Sequence, residues 1–267
     1  MAYEGETIKP GVRAGGRPRE ASIRELLTSG KALFNAWVSL GVAHSVELAA
    51  EAGADVVTID QQHGIGGNAE MLACLGAAAA SGLPAFVRVA RNDFGLIGRA
   101  LDAGAQGVVC PMINTGEDAV AFVEAVKYPP VGARSMGPYR ARLAIPDYIQ
   151  NANGWTLACG QIETKTAVGN LDAIFSTPGF DMVCVGPNDL AFTLSGGAHA
   201  DIRAPETEAA IDVILAKCKE HGVIAGIFAN DAEYAKSLIA KGWQVVAVTS
   251  DTRWLAAGAK AARAAFD

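Results

Sequence analysis

Residues 55–89 read DVVTIDQQHGIGGNAEMLACLGAAAASGLPAFVRV, in which two apolar, β-branched runs flank an Ala-rich stretch. The runs DVVTID and AFVRV have the length and composition of buried strands, and the stretch between them has a helical period. Parallel strands need a crossover connection of this kind, usually a helix. The segment therefore predicts a parallel sheet whose faces are covered by helices.

The same alternation recurs along the chain from residue 32 onward. Strands are predicted at residues 32–38, 55–60, 85–89, 107–112, 156–163, 181–186, 224–228 and 244–249. Helices are predicted at residues 43–53, 68–81, 95–103, 116–126, 165–175, 206–221, 231–241 and 252–265. Eight βα units in about 235 residues match an α/β fold of the (β/α)8 TIM barrel type, which usually has about 250 residues. An open doubly wound sheet is the alternative.

Composition limits the domain organisation and the classes of partner. The chain has 267 residues, of which 51% are hydrophobic, and a formal net charge of −6. Residues 1–24 are rich in Gly, Pro and charge and are predicted to form an N-terminal extension, which leaves residues 25–267 as one barrel domain. The acidic balance disfavours nucleic acid and anionic membranes as partners, and no apolar run has the length of a membrane span. We expect a cytoplasmic protein with reduced cysteines and a small-molecule partner.

Polar side chains gather at the carboxyl ends of the predicted strands. In chain order they are Asp60, His63, Arg88, Asn92, Asp93, Gln161, Glu163, Asn188 and Asp189. The carboxyl ends of the strands meet on one face of a parallel barrel, where barrel enzymes keep their catalytic groups. We therefore interpret this set as a candidate active site.

Two carboxylates in the set suggest a metal ion. Glu163 and Asp189 follow neighbouring strands, and adjacent carboxylates repel unless a cation or a shared proton neutralises them. Two carboxylates with open coordination positions suit Mg²⁺, Mn²⁺ or Co²⁺. Asp189 could instead cap the turn that begins with it. Zinc held by several His or Cys residues is disfavoured, because the four His include no pair at ligand spacing.

Three further residues could carry proton transfer and charge stabilisation. Arg88 lies within an apolar strand, so it either forms a structural ion pair or holds an oxygen that becomes negative during reaction. His63 suits proton transfer near neutral pH, and a packed or capping His is the alternative. Asp102 opposes the dipole at the end of a helix, so it has a buried partner or is simply exposed. With a metal and the carboxylate-binding turn VGPNDL at 185–190, such a set can enolise a 2-keto acid.

Six segments together carry a specific family resemblance. They are IDQQHG (59–64), VRVARND (87–93), LDAGAQGVVCPM (101–112), YPPVGARSMGP (128–138), QIET (161–164) and VGPNDLA (185–191). In this order they resemble the HpcH/HpaI aldolase family of class II, metal-dependent pyruvate aldolases. That family includes the 4-hydroxy-2-oxoheptanedioate and 2-dehydro-3-deoxyglucarate aldolases. The likeness runs from about residue 25 to the C-terminus.

The resemblance implies a fold, a reaction and an assembly. The implied fold is a barrel of the phosphoenolpyruvate/pyruvate type. The implied reaction is the reversible retro-aldol cleavage of a 4-hydroxy-2-keto acid to pyruvate, or a close 2-keto acid, and an aldehyde. It needs a divalent metal (Mg²⁺, Mn²⁺ or Co²⁺) and no organic cofactor. The implied assembly is a hexamer, a trimer of dimers that exchange the last helix.

The resemblance also implies roles for individual residues. His63 would be the proton acceptor, Asp102 would raise its basicity, and Arg88 would contact the substrate and stabilise the enolate. The other implied roles are metal ligation by Glu163 and Asp189, substrate contact by Gln161, Asn188 and Asp189, and orientation by the acid Asp60.

The chain departs from the better-known family members in three places. Gln62 stands where they carry Glu, which would reduce the negative charge around the metal. Residues 64–67 read GIGG where they have a Pro-Asn turn, and PYRARLA at 138–144 replaces a stretch of small residues. In that basic segment, Arg140 or Arg142 could receive an acidic or bulky aldehyde.

Other functions stay open from the sequence. On the same barrel they are a lyase of the malyl- or citramalyl-CoA type, an oxaloacetate decarboxylase, and a non-catalytic barrel that binds a keto acid. A nucleotide-dependent oxidoreductase is a further alternative, because Gly64, Gly66 and Ala69 have the spacing G-x-G-x-x-A. A dinucleotide turn places its glycines directly against the strand and an acid at the next strand end, where this chain has Arg88. An arginine can still accommodate NADP, so the spacing weakens this alternative without removing it.

Overall fold

The computed structural model describes residues 21–145 and 147–266 as a closed barrel of eight parallel strands. The strands are Leu33–Val38 (β1), Val56–Asp60 (β2), Ala85–Arg88 (β3), Gly107–Cys110 (β4), Leu157–Ile162 (β5), Met182–Val185 (β6), Ile224–Ala229 (β7) and Val245–Val248 (β8). Each strand pairs with the next along the chain, and β8 pairs with β1. The predicted (β/α)8 barrel is confirmed, and the open doubly wound sheet is excluded.

Helices connect the strands on the outside of the barrel. They are Ile23–Leu27 (α1), Ala43–Glu51 (α2), Asn68–Ala80 (α3), Phe94–Asp102 (α4), Gly116–Val126 (α5), Tyr148–Trp155 (α6), Lys165–Gly169 (α7), Leu171–Phe175 (α8), Pro187–Leu194 (α9), Pro205–His221 (α10), Ala232–Lys241 (α11) and Asp251–Phe266 (α12), with a 3-10 turn at Ala141–Leu143. All eight predicted helices are present, and the fifth is divided into α7 and α8. Three short helices, α1, α6 and α9, lie outside the predicted ranges. They have 5, 8 and 8 residues, and so few turns show no clear period.

The core has two layers, as expected for a barrel whose strands are buried on both faces. The outer layer packs the strands against the Ala-rich helices. The inner layer fills the barrel with large side chains, among them Phe86, Leu157 and Met182. A Cβ atom at Gly107 would lie 2.3 Å from the ring of Phe86, so this glycine makes room for the aromatic side chain inside the barrel. The interior is therefore a packed core of side chains.

Helix α1 closes the amino-terminal end of the barrel. Ile23 is buried among the interior side chains, and its N–H donates to the side chain of Gln106. Arg24 forms an ion pair with Asp181, and the buried Lys127 contacts the same carboxylate at 2.6 Å. This charged cluster attaches α1 to the barrel and leaves the opposite end open.

Three composition-based expectations can be compared with the described residues. Residues 21–24 of the predicted extension belong to α1 and the turn before it, and residues 1–20 lie outside the described residues. All five cysteines are buried and form no disulfide. Among the described helices, none is both long enough and apolar enough to cross a membrane.

Candidate active site

A cavity of about 230 Å³ opens at the carboxyl ends of the strands. Its lining includes six of the predicted site residues, namely Asp60, His63, Arg88, Gln161, Asn188 and Asp189. Glu163 is buried directly beside this lining, because Gly186 of the lining lies against its side chain. The barrel thus brings together groups that are up to 129 residues apart in the sequence, between Asp60 and Asp189.

Arg88 and Asp60 form a buried, two-point ion pair at the base of the cavity. Arg88 Nε donates to Asp60 Oδ1 at 3.0 Å and Nη2 donates to Oδ2 at 2.6 Å. Burial by itself would raise the pKa of Asp60, but the hydrogen bonds and charge of Arg88, helped by the backbone N–H groups of His63 and Gln62, bring it below its usual value. Trp37 covers the guanidinium, whose carbon lies 4.9 Å from the ring centroid. The two interpretations of Arg88 from sequence are therefore compatible, since an Arg in an ion pair also lines the cavity.

His63 is held at the cavity edge by its own backbone. Its N–H donates to Asp60 Oδ1 at 3.1 Å, so the loop after β2 turns around the carboxylate that also positions Arg88. The residue is exposed and lines the cavity. The same acid therefore contacts both the cation and the backbone of the loop that carries the imidazole.

The glycine turn after His63 packs against the loop that follows β1. The Ile65 N–H donates to Ser39 O at 2.9 Å, and a Cβ atom at Gly64 would lie 2.0 Å from Asp60 O. A Cβ atom at Gly66 would lie 3.0 Å from the Cα atom of Gly41. These close backbone contacts account for the glycines without a bound nucleotide.

Glu163 is a buried carboxylate with an unfavourable charge. Its Oε1 atom accepts a hydrogen bond of 2.8 Å from the N–H group of Met112. Met112 has a left-handed backbone conformation, with φ of 58°. Burial raises the pKa of Glu163 to about 7, and the nearby charge of Asp189 adds to the increase. Asp189 is exposed in the first turn of α9 and makes no hydrogen bond or ion pair with the described residues, so it is not occupied as a helix cap.

This carboxylate pair fits a divalent cation. A Cβ atom at Gly186 would lie 2.6 Å from Glu163 Oε2 and 2.7 Å from Gln161 Nε2, so only glycine leaves both polar groups their space. Burial is the main cause of the raised pKa of Glu163, and a cation between Glu163 and Asp189 would offset both the burial of the charge and the repulsion by Asp189. Hard cations with oxygen ligands, such as Mg²⁺ or Mn²⁺, match these donors.

Gln161 supplies an unused polar atom at the base of the cavity. The residue is 4% exposed, and its Oε1 atom has no hydrogen-bond partner within the described part of the chain. A buried polar atom in this state is costly unless a ligand or water satisfies it. Asn188 lies above it, exposed in the first turn of α9. Both positions suit the substrate contacts expected of them.

Asp102 does not join the cavity of its own chain. It ends α4, on the side of the barrel opposite the strand carboxyl ends, and accepts a hydrogen bond of 2.8 Å from Arg134 Nη2. Arg134 is buried and packs over the rings of Tyr128 and Tyr148. The partner of Asp102 is thus an arginine, and the influence on His63 that the resemblance implies is not realised within one chain.

Arg140 and Arg142 are also outside the cavity lining. Arg140 donates to two backbone carbonyls of the outer helices. One belongs to Leu75 within α3, and the other belongs to Ala103 at the end of α4. The interpretation of this basic segment as the receptor of the aldehyde therefore fails for the cavity of the same chain. Asn92 and Asp93, the other polar residues at strand ends, serve the fold. Asp93 caps α4, and the Asn92 side chain donates to the Asp118 carbonyl in the first turn of α5.

Several residues of the cavity were missed from the sequence. Trp37 and Phe228 form an aromatic wall, with ring centroids 5.4 Å apart and an edge-to-face geometry. Ser250 and Arg253 complete the rim after β8. The strand-end rule could have found Ser250, which follows the last strand, whereas Arg253 lies within a predicted helix and gave no signal.

Comparisons with known proteins show which family the chain belongs to. The model of the HpcH/HpaI aldolase/citrate lyase family matches residues 34–257. The chain belongs to this family. The 4-hydroxy-2-oxo-heptane-1,7-dioate aldolase of Escherichia coli, a relative, is 35% identical over an alignment that covers 92% of this chain and 95% of the relative.

Solved structures of the HpcH/HpaI family share the barrel. A family protein from Burkholderia cenocepacia is 35% identical, with a TM-score of 0.82 and coverage of 88% of this chain and 95% of that chain. The HpcH/HpaI aldolase from Desulfitobacterium hafniense is 26% identical, with a TM-score of 0.85 and coverage of 91% and 96%. The predicted family is confirmed, and the chain is a lyase of the class II aldolase type.

Proposed function

We propose that this chain is a divalent-metal-dependent aldolase that cleaves 4-hydroxy-2-keto acids reversibly to pyruvate, or a close 2-keto acid, and an aldehyde. One observation carries the proposal: an exposed histidine, a buried arginine and an exposed aspartate line a single cavity, and a buried glutamate lies directly beside it. The E. coli relative, whose name describes such a reaction, covers nearly the whole chain.

Glu163 and Asp189 would hold the metal, which supplies Lewis acidity toward the keto oxygen and stabilises negative charge there. Mg²⁺, Mn²⁺ and Co²⁺ can all bind oxygen donors of this kind. Gln161, whose buried Oε1 atom has no hydrogen-bond partner among the described residues, would form a hydrogen bond with the keto acid. The backbone N–H groups of the first turn of α9, at Asn188 and Asp189, would bind its carboxylate.

His63 would transfer the proton, and Arg88 would stabilise the developing negative charge. In the cleavage direction His63 accepts the proton of the 4-hydroxyl group, the bond between C3 and C4 breaks, and the aldehyde departs. The remaining electron pair resides on the enolate, whose oxygen faces the guanidinium of Arg88. Returning the proton to C3 completes the keto acid. Because Arg88 is already fixed by Asp60, it needs no reorganisation during the step.

Exchange of the methyl protons of pyruvate with deuterated water tests the enolisation directly. We expect exchange with added Mg²⁺, Mn²⁺ or Co²⁺ and none after chelation. Release of pyruvate from a panel of free hydroxy-keto acids, measured beside malyl- and citramalyl-CoA and oxaloacetate, then tests the substrate class. Cleavage of the thioesters alone, or decarboxylation alone, would replace the proposed reaction, and a lack of exchange would favour a barrel that only binds the keto acid.

Glu163→Gln is expected to separate stability from metal binding. The pKa of Glu163 is raised to about 7, so the unfolded chain ionises this group at lower pH than the folded metal-free chain. The free energy of unfolding of the metal-free protein therefore falls as pH rises from about 4.5 to 7, and it falls no further from this cause above pH 7. The uncharged glutamine should therefore stabilise the metal-free protein at pH 8, by up to about 3 kcal/mol, with no gain at pH 4.

The same variant should lose most of its stabilisation by Mn²⁺. Urea unfolding with chelator and with excess Mn²⁺, at pH 4, 6 and 8, measures both effects. The glutamine side chain has nearly the same size as the glutamate that it replaces, so a difference between variant and wild type reports the charge. A variant that is less stable than the wild type in chelator at pH 8 would contradict this account of Glu163.

We also propose that the chain assembles as a hexamer, a trimer of dimers that exchange α12. Beyond its first turn this 16-residue helix is exposed, including Leu255 at 67% and Phe266 at 85%. Large apolar side chains presented in this way favour contact with another copy. Light scattering of the full-length chain should give six times its mass of 27.5 kDa, and a monomer would contradict the proposal.

A further inference from the structure

Arg253 is a cation at the mouth of the cavity that the chemistry described above does not use. It lies in the first turn of α12, is exposed, and lines the cavity together with His63, Arg88 and Asp189. Within the described part of the chain it forms no ion pair. Its Nη1 atom makes one long hydrogen bond of 3.4 Å to Asn230 Oδ1. The guanidinium is therefore available for an anion in the cavity.

The backbone that carries Arg253 is firmly held. Asp251 is buried, and its carboxylate accepts hydrogen bonds from the N–H groups of Ser39 at 2.9 Å and Leu40 at 3.2 Å. Trp254 packs against the ring of Phe34, with centroids 6.4 Å apart. The start of α12 is thus fixed to the loop after β1, although most of the helix is exposed. A side chain on such a fixed turn can contribute to specificity.

The side chain is also directed toward the substrate-binding end of the cavity. Asn230, which accepts from Arg253, donates to Asn188 Oδ1 at 3.4 Å. These contacts link the guanidinium to the first turn of α9 through two amide side chains. The aromatic wall of Trp37 and Phe228 lines the cavity beneath them.

Charge and depth distinguish Arg253 from the other cation of the cavity. Arg88 is 8% exposed and its charge is balanced by Asp60. Glu163 and Asp189 would be balanced by the divalent metal of the proposed function, on which this inference rests. Arg253 then keeps an unbalanced positive charge at the mouth. The reacting end of the substrate must lie deep, near Arg88 and Gln161, so the group that reaches Arg253 belongs to the far end.

We propose that Arg253 is a specificity-determining residue that binds a carboxylate on the aldehyde half of the substrate. The substrate then carries a second carboxylate beyond C4, as does the dioate in the name of the E. coli relative, and the assignment of Arg253 to that carboxylate is the new element. Cleavage between C3 and C4 releases the keto acid and an aldehyde that retains this carboxylate, with the hydroxyl proton passed through His63 to C3. An uncharged aldehyde would lack the contact and bind more weakly.

The test compares two acceptor aldehydes of equal carbon number in the aldol direction with pyruvate. Succinic semialdehyde carries a terminal carboxylate, and butanal has a methyl group in its place. We expect the wild type to prefer succinic semialdehyde in kcat/KM. Arg253→Met should reduce this preference about tenfold, mainly through a higher KM for the charged aldehyde, because the ion pair is partly exposed. Arg253→Lys should retain part of it.

Arg263→Met is the matched control, since Arg263 is on the same helix outside the cavity and contacts Phe266. It should leave the preference unchanged, and unfolding midpoints show whether each variant is folded. An equal loss for both aldehydes in Arg253→Met would place the arginine on the keto acid and overturn the proposal. An unchanged preference, or a wild type that prefers butanal or accepts neither aldehyde, would also overturn it.

Exchange of pyruvate methyl protons by the wild type distinguishes the two levels of failure. Exchange without a preference for the charged aldehyde rejects the role of Arg253 and leaves the proposed function standing. Absence of metal-dependent exchange rejects the proposed function, and the role of Arg253 falls with it.

Discussion

His63→Asn is expected to slow the metal-dependent exchange of pyruvate methyl protons by about 10²- to 10⁴-fold, the usual contribution of a positioned acid–base group. Asparagine keeps the backbone N–H that donates to Asp60, so the loop and the ion pair of Arg88 should be retained. It has no group that can accept a proton near neutral pH. The loss should therefore appear in kcat with little change in the affinity for pyruvate.

His44→Asn is the matched control for this variant. His44 is exposed on α2, bonds to Glu47 at 2.7 Å and does not line the cavity. Its replacement should leave exchange unchanged. If His63→Asn exchanges protons within about threefold of the wild type, another group moves the proton and the assignment of His63 is wrong. NMR measures the proton exchange of both variants in deuterated water. The reactions contain saturating Mn²⁺, which is removed before detection.

The fold followed from local patterns because the barrel repeats one unit. Each strand is buried on both faces, so its sequence is a continuous apolar run, and each helix covers one segment of the sheet. The carboxyl ends of the strands then had to converge, whatever the loops do. That geometric necessity is why Gln161, Asn188 and Asp189 could be placed in one cavity from sequence.

Residues whose position depends on packing between distant loops could not be predicted in this way. The partner of Asp102 is Arg134, 32 positions away in a long connection without a regular period. Arg253 reaches the cavity because Asp251 fixes the start of α12 to the loop after β1, a contact across 212 positions. Helical periodicity assigns such residues to a face of a helix, but it does not predict which other part of the protein packs against that face.

The ion pair at the base of the cavity allows structural and catalytic roles to be separated. Arg88→Leu leaves the carboxylate of Asp60, which is 3% exposed, without its cation. Removing one partner of a buried pair costs about 3–5 kcal/mol in the free energy of unfolding. The pKa of Asp60 is lowered in the wild type, so the stability from this pair is present near neutral pH and is lost as pH falls through that lowered pKa. In the variant, Asp60 is buried without a cation, so burial raises its pKa and the carboxyl is neutral at pH 4 but charged at pH 7. The defect of the variant should therefore be larger at pH 7 than at pH 4.

Arg91→Leu provides the control just beyond the end of the same strand. Arg91 pairs with Asp93 at 3.4 Å and its side chain is 76% exposed, so no measurable loss of stability is expected. Urea unfolding at both pH values compares the two variants. A defect of Arg88→Leu that does not depend on pH would show that lost packing against Trp37, rather than the stranded charge, destabilises it.

The double variant Arg88→Leu/Asp60→Asn then isolates the chemical role of the arginine. Removing both charges should recover most of the lost stability, because no ion is left buried without a partner. Exchange of pyruvate protons should stay about 10²- to 10³-fold below the wild type, since the developing enolate still lacks a cationic donor. Recovery of stability together with activity would mean that Arg88 acts only by holding the fold. Stability without activity would show that the Arg88–Asp60 pair is needed for the reaction beyond its contribution to the fold, as the proposed mechanism requires.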